Sequence, residues 1–234
     1  MPSDMVEPVV DPLYRLLAWL SPAYPIGAFS YSHGVETAVE EGFIKDRASL
    51  IAWLDSVLRD GTGRVDGALF AVAWRAAAVQ DWPTFDEIAE RAAAWRGTSE
   101  MALESRQQGG SFLSITRNAW PHADLDATHR RLGGEIALPV AVALAASVHG
   151  VALEQALVGY LHGFTANLIS AAVRTVPLGQ SDGQLALAAL EPAVRRAVDA
   201  ALATDDLDEV GTATPLLDWC SLRHETQYTR LFRS

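Results

Sequence analysis

The sequence predicts an all-α protein, a single-domain compact bundle of about nine or ten helices. Three observations lead to this prediction. Alanine- and leucine-rich segments repeat apolar residues at helical spacing, and helix-boundary residues flank those segments. No Asn-Gly or Asp-Gly turn lies between two alternating apolar patterns, as a β-hairpin would require. No Pro-, Gly- and Ser-rich linker divides the 234 residues, which favours a single domain.

In the first half of the chain, helix boundaries follow from capping residues. Asp46 can cap a helix that Gly61 ends, and Thr84–Glu87 matches a capping box. The pair Gly109-Gly110 predicts a loosened helix there, or a place of close helix packing or exposed backbone. The predicted helices are 13–20, one beginning near 33, 46–59, 68–80, 84–96 and 98–118.

The second half contains the most apolar segments. Ser181–Gln184 is a second capping-box match, and Pro215 suits the first position of the last helix. Asp205–Gly211 predicts an acidic turn or a short helix. The predicted helices are 124–131, 136–148, 153–173, 181–201 and one from 215, with an apolar stripe on the last formed by Leu217, Cys220, His224, Tyr228 and Leu231.

Composition excludes several classes of function. A formal net charge of −11 disfavours nucleic acid and anionic membrane surfaces as partners. The lone lysine, Lys45, follows no glycine-rich loop, so the chain has no P-loop. One cysteine, Cys220, excludes an intrachain disulfide. The longest apolar run, 136–148, is too short to span a bilayer, and the acidic N-terminus does not match a signal peptide, so we expect a soluble, cytoplasmic protein.

Two irregular segments are candidates for binding. The first, Ser21–His33, is broken by prolines and presents aromatic side chains, so it is either an ordered connection or a recognition loop. The second, Pro177–Gln184, is either a helix–helix connection or an exposed polar contact surface. The candidate residues in and around these segments are Ser21, Pro22, Tyr24, Phe29, Ser30, His33, Glu36, Arg106, Pro177, Gly179, Gln180, Asp182 and Gln184.

Candidate catalytic and metal-binding groups are sparse. His33 and Glu36 are three residues apart, and Cys220 and His224 are four apart, so each pair can share a helix face. Two ligands do not make a metal site, and no helper residue accompanies Cys220. We therefore expect no intrinsic cofactor, metal or catalytic residue, and keep an unrecognised enzyme that uses one of these pairs as an alternative.

The last seven residues, 228–234, combine two arginines with apolar and aromatic side chains. They are either a last helical turn, with arginines at the negative end of the helix dipole, or a docking peptide that folds onto the body or inserts into a partner. The segment alone leaves both interpretations open. The predicted contact residues are Tyr228, Arg230, Leu231, Phe232, Arg233 and Ser234.

Four stretches resemble the UreF family of urease accessory proteins. They are SPAYPIGAFSYSHGVETAVEEG from Ser21, ESRQQGG from Glu104, AAVRTVPLGQSDGQ from Ala171 and HETQYTRLFRS at the end. Together they extend the resemblance over nearly the whole chain after residue 12. The stretch 218–223 is more individual, which leaves any role of Cys220 open.

The resemblance implies an all-α dimer that acts as a chaperone and not as an enzyme. UreF proteins work with UreD (also called UreH) and the GTPase UreG on urease apoprotein, and GTP hydrolysis is coupled to nickel insertion. Nickel and GTP are then handled by the assembled complex, and a direct nickel carrier is the alternative. In the family the C-terminal tail becomes ordered on binding UreD, which assigns that role here to 228–234. Together with the scarcity of candidate chemistry elsewhere in the chain, this resemblance favours docking over a last helical turn. We thus expect a flexible segment at 1–12, an all-α domain at 13–227 and a docking tail at 228–234.

Overall fold

The computed structural model describes residues 11–234, and the predicted flexible segment lies mostly outside them. Within that range the chain forms helices and no strand, which confirms the all-α, single-domain prediction. The α-helices are α1 Pro12–Trp19, α2 Val35–Glu40, α3 Arg47–Asp60, α4 Thr62–Ala78, α5 Trp82–Ala94, α6 Ser99–Ala119, α7 Ala123–Leu132, α8 Leu138–Val148, α9 Leu153–Thr175, α10 Gln180–Leu202 and α11 Pro215–His224; Ala28–Ser30 and Leu207–Glu209 are 3-10 turns.

The core is built around α4 and α8. Every residue of α8 from Pro139 to Ala146 is buried, because this helix is apolar on all sides and lies between α4 and α6. α10 packs across α3, α4 and α9 and closes the other side of the bundle. The small residues of α4 and α8 allow close approach of the helix backbones, so the centre of the protein is tightly packed.

α9 alone among the described helices is long and apolar enough to cross a membrane by length and composition. Half of its most apolar 18-residue stretch is buried inside the protein. The helices packed against α9 include α10, α2 and α4. The same composition is therefore accounted for by a core helix of the bundle.

Several predicted boundaries are corrected. α4 begins at Thr62 and not at Ala68, because Gly61 alone separates it from α3. α5 is capped by Asp81, whose carboxylate accepts from Thr84 N, so the predicted capping box at Thr84 is wrong. The box predicted at Ser181 is also wrong: α10 begins at Gln180, and Asp182 accepts from Gly179 N instead.

The glycine pair of α6 serves close packing and does not loosen the helix. α6 runs unbroken through both residues. A Cβ at Gly109 would lie 2.1 Å from the Ile136 carbonyl oxygen, and one at Gly110 would lie 2.8 Å from that of Gly134. No side chain fits at those distances, so glycine lets α6 contact the backbone before α8.

The predicted stripe on the last helix is only half correct. α11 ends at His224, so Leu217, Cys220 and His224 share its buried side. Tyr228 and Leu231 lie beyond the helix, and both are exposed. The final residues therefore do not form a last helical turn, which corrects one of the two interpretations of that segment.

Candidate functional site

Residues 228–234, here called the tail, fold back onto the body of the protein. They lie in a groove formed by Ser30–Ser32, Glu36 of α2 and Glu100 and Glu104 of α6, which we call the tail cleft. Of the seven tail residues only Phe232 and Ser234 are buried, at 4% and 1% exposure. The tail is thus held by two buried side chains and a set of polar contacts.

Glu36 is the central contact of the tail cleft. Its Oε1 accepts a hydrogen bond from Leu231 N at 2.7 Å, and its Oε2 accepts one from Phe232 N at 3.0 Å. Hydrogen bonds to a charged acceptor are stronger than neutral ones. Because both donors are main-chain groups, Glu36 fixes the path of the tail backbone whatever the side chains at 231 and 232.

The start of α2 places Glu36 at the cleft. Gly34 and His33 both have positive φ, 79° and 55°, and this left-handed turn brings the chain into the helix. A Cβ at Gly34 would lie 3.4 Å from Leu217 of α11, so the turn also packs on the last helix. The predicted recognition segment is therefore tied to the helix that precedes the tail.

His224, at the end of α11, bridges two carboxylates. Its Nε2 lies 3.1 Å from Glu36 Oε2 and its Nδ1 lies 2.8 Å from Glu100 Oε2. Each ring nitrogen thus lies within hydrogen-bonding distance of one carboxylate. Arg230 Nη1 also donates to Glu100, at 3.0 Å. The root of the tail is thus tied to α2 through Glu36 and to α6 through Glu100.

Glu104 holds the other end of the tail. Its Oε2 accepts from Ser234 Oγ at 2.8 Å and lies 3.2 Å from His33 Nδ1. Burial alone would raise the pKa of Glu104, but the His33 charge and the hydrogen bonds of His33 and Ser234 hold it below the ordinary 4.5. Glu104 is therefore a carboxylate that accepts from the tail at neutral pH.

The tail also pairs with the loop Ser21–His33. Arg233 N donates to Ser30 O at 2.8 Å, and Ser32 N donates to Ser234 O at 2.7 Å, with the Ser32 hydroxyl on the same oxygen. The structure therefore brings together two of the segments predicted from sequence.

Arg174 of α9 joins the same two segments from the side. It donates to Phe29 O at 2.8 Å and lies 4.3 Å above the Phe232 ring, a cation–π distance. The loop and the tail thus form one ordered surface.

The other predicted residues lie in different surroundings. Tyr24 is half-buried against Phe112 and Trp120, with its hydroxyl 2.8 Å from Thr116 Oγ1, and burial raises its pKa. Ser21 and Pro22 line an internal cavity with it. Arg106 pairs with Glu135 on the surface at 3.5 Å.

The segment Pro177–Gln184 has polar contacts with α3 and none with the tail. Asp182 accepts from Arg47 at 2.9 Å. Pro177, Gly179, Gln180 and Gln184 are exposed. The structure therefore does not join this segment to the tail cleft through a hydrogen bond or ion pair, and its role in partner binding stays a prediction.

The groups of the alternative enzyme hypothesis are engaged elsewhere. His33 contacts Glu104 and Thr62, and Glu36 contacts the tail, so the two are not a pair. Burial, with Glu41 nearby, raises the pKa of the Cys220 thiol to about 12, and both nitrogens of His224 contact carboxylates. A thiol with that pKa is a poor nucleophile. Among residues 11–234 no group of three His, Cys, Asp or Glu is arranged to hold a metal ion.

Sequence reasoning did not select Glu100, Glu104 or Arg174 as site residues. A signal was present: Glu100, Glu104 and Gln108 recur every four residues, so they share one face of α6. That face is polar and partly or fully buried, which only the packing of α6 beside α11 and the tail reveals.

Comparison with known proteins gives one consistent result. The family model described as UreF matches residues 44–191. A urease accessory protein UreF of Granulibacter bethesdensis is 52% identical over 95% of this chain and 94% of its own length. Proteins of the same name from Rhodopseudomonas palustris strain BisB5 and Bradyrhizobium diazoefficiens are 50% and 47% identical, over 95% and 99% of this chain and 91% and 95% of theirs.

Proposed function

The chain belongs to the UreF family of urease accessory proteins, and from this premise we propose that it serves urease maturation as a scaffold without catalysis of its own. Its proposed partners are UreD (UreH), the GTPase UreG and urease apoprotein. UreG hydrolyses GTP, and nickel is cargo delivered to the urease active site. We place the protein in the cytoplasm as a homodimer that contacts neither nucleic acid nor membrane.

The observation that supports a partner-binding role best is the ordered tail. Its buried anchors, Phe232 and Ser234, fix it in the tail cleft, while Tyr228 is fully exposed and Leu231 is 61% exposed. Phe29, on the loop that pairs with the tail, is 69% exposed. These three large side chains flank a rigid backbone, and exposed aromatic and apolar groups in such a setting are typical of an interface.

We propose that the tail is already ordered before a partner binds, in place of the ordering on UreD binding that the family resemblance implies, and such prior order favours tight binding. A disordered peptide loses backbone entropy when it docks, and that loss subtracts from the affinity. Here the contacts of Glu36 and Glu104 with the tail offset that loss before any partner arrives. We therefore propose that UreD meets a preformed surface made of the tail and the loop, with Tyr228, Leu231 and Phe29 as its apolar contacts.

The test is a binding and activation assay with matched variants. Tyr228→Ala and Leu231→Ala remove exposed contacts without touching the tail cleft, and Val79→Ala removes an exposed side chain, 76% accessible, at the end of α4. We expect the first two, and not the third, to weaken UreD pull-down and to lower nickel incorporation by reconstituted UreD, UreG and urease apoprotein. Full binding and activation by the double variant Tyr228→Ala/Leu231→Ala would refute the assignment.

The homodimer is tested separately, by the molar mass of the purified chain in light scattering. The expected mass is twice the 25.2 kDa of one chain. A monomer at tens of micromolar would contradict that part of the proposal and leave the tail surface unaffected.

A further inference from the structure

An internal cavity of about 260 Å³ lies between the loop Ser21–Phe29 and helices α6, α8 and α9. Most of its wall is apolar, and a cavity of about 150 Å³ with such a wall is large enough to hold benzene. The space here therefore fits a molecule of one or two rings. The aromatic and aliphatic side chains of the wall include Trp19, Leu20, Ile26, Phe112, Val142 and Phe164.

Asp66, one of the two carboxylates on the wall, is bound by the protein itself. Its Oδ1 accepts from Arg96 Nη1 and its Oδ2 accepts from the Tyr160 hydroxyl, each at 2.7 Å. Burial and the Asp66 charge raise the pKa of Tyr160 well above 10, so the phenol keeps its hydrogen. Both oxygens of Asp66 are thus occupied by donors.

Glu104, the second carboxylate on the wall, is occupied in the same way. Its Oε1 accepts from Gln108 Nε2 at 3.3 Å. Its Oε2 accepts from Ser234 Oγ and lies 3.2 Å from His33 Nδ1. A cation would find both carboxylates already engaged, and an anion would be repelled by them, so the cavity favours a ligand without net charge.

Gln108 offers such a ligand a hydrogen-bond acceptor. Its side-chain nitrogen donates to the Glu104 carboxylate, which leaves the amide oxygen, Oε1, for another partner. Within residues 11–234 this oxygen makes no hydrogen bond, although the residue is only 4% exposed. It is not sealed inside the protein, as Nε and Nη2 of Arg96 are, and Gln108 lines the cavity. A ligand in the cavity can therefore reach it.

We propose that the cavity binds a small neutral molecule whose apolar body lies against the aromatic wall and whose single N–H or O–H group donates to Gln108 Oε1. Indole and phenol belong to this class. Burial of the apolar body supplies the affinity, and the hydrogen bond selects the orientation. Exposed Pro22, Phe29, His162 and Ser170 also border the cavity, so a ligand has a path from solvent. The site does not depend on the proposed partners.

The first test is calorimetric titration of the full chain with four ring compounds. Indole has the N–H group, and benzofuran has the same shape without it. Benzoate and benzylammonium carry one negative and one positive charge. We expect saturable binding of one indole per chain, about fivefold weaker binding of benzofuran, since one hydrogen bond is lost, and no saturable binding of the two ions.

Two variants test the placement of the ligand. Gln108→Leu removes the acceptor, so the affinity for indole should fall about fivefold while that for benzofuran stays unchanged. General damage to the cavity would lower both affinities. Val142→Phe places a ring in the cavity and should abolish the binding of both compounds. Val158→Phe is its matched control, because Val158 is 38% exposed on α9 and does not line the cavity.

A wild-type measurement covers the case in which the variants do not fold. Crystals grown with 5-bromoindole should show anomalous density inside the cavity, with the indole nitrogen on Gln108 Oε1. The proposal is overturned if benzoate or benzylammonium binds as tightly as indole, if Gln108→Leu lowers the two affinities equally, if Val142→Phe binds like Val158→Phe, or if the crystals hold only water in the cavity.

Discussion

The helical core and the tail cleft are both buried, but they are held by different interactions. The contact between α4 and α8 consists of a continuous run of apolar side chains, with residues 139–146 buried without exception. The tail buries two residues of seven and depends on three carboxylates, Glu36, Glu100 and Glu104. The core should therefore open only with global unfolding, whereas the tail should open locally while the body stays folded.

The largest expected effect belongs to the core. Leu144→Ala in α8 removes a fully buried side chain and leaves a cavity, which costs about 2–5 kcal/mol of unfolding free energy. Urea unfolding followed by circular dichroism measures this loss. The tail should keep its resistance to proteolysis under native conditions. Release of the tail in Leu144→Ala would mean that the tail cleft opens together with the core and not independently of it.

The next largest effect is expected from Glu36→Ala. This change removes the acceptor of two backbone N–H groups and one partner of His224. Leaving such buried polar groups unpaired costs several kcal/mol in general, on the order of 1–3 per group. We expect release of the tail, seen as rapid tryptic cleavage at Arg230 and Arg233 from an otherwise folded body.

Glu40→Ala is the matched control for that experiment. Glu40 belongs to the same helix, α2, but is exposed, and among the described residues it makes no hydrogen bond or ion pair with the tail. Its variant should be cleaved like the wild type. Equal cleavage of the Glu36 and Glu40 variants would show that Glu36 does not hold the tail.

Phe232→Ala should release the tail as well, and its effect on the unfolding free energy should not add to that of Glu36→Ala. The ring is buried below Arg174, and its loss removes most of the apolar burial of the tail. Once the tail is free, further loss of tail contacts has no effect on the body, so Glu36→Ala/Phe232→Ala should match the more severe single variant. Additive losses of unfolding free energy would indicate that the tail unfolds together with the core.

A smaller effect follows from pH. The pKa of Glu104 in the folded protein lies below 4.5. The ionised carboxylate therefore stabilises the docked tail fully above pH 4.5, and this stabilisation is lost as the pH falls through the folded-state pKa. Tail protection should therefore decrease below about pH 4.5 in the wild type. In Glu104→Gln this decrease should be smaller, which hydrogen exchange at graded pH can measure. The same acid response in both proteins would assign it to other groups.

The smallest effect on stability is expected for Tyr228→Ala. The side chain is fully exposed, so the unfolding free energy should change by less than about 0.5 kcal/mol. A loss of UreD binding without a loss of stability would separate the outer contacts of the tail from its buried anchors. A marked loss of stability would show that Tyr228 packs on the body.

The contrast between the two regions also explains what the sequence could predict. Helical spacing and capping residues identified the all-α fold, because burial of an apolar stripe is a local pattern with a fixed period. Composition and the family resemblance drew attention to the tail and to Ser21–His33. The pairing of Glu36 with the backbone of 231 and 232 joins residues almost two hundred positions apart. No local sequence pattern encodes such a contact. Likewise, Glu100 and Glu104 of α6 become part of the tail cleft only through the tertiary packing of that helix.

The most direct test of this account is amide hydrogen exchange of the tail in the isolated wild-type protein. If Glu36 holds the tail on the body, the amides of Leu231 and Phe232 should be protected by at least about tenfold over unstructured rates. That protection should disappear in Glu36→Ala and persist in Glu40→Ala. Unprotected amides at 231 and 232 in the wild type, under conditions in which the α8 amides remain protected, would contradict it.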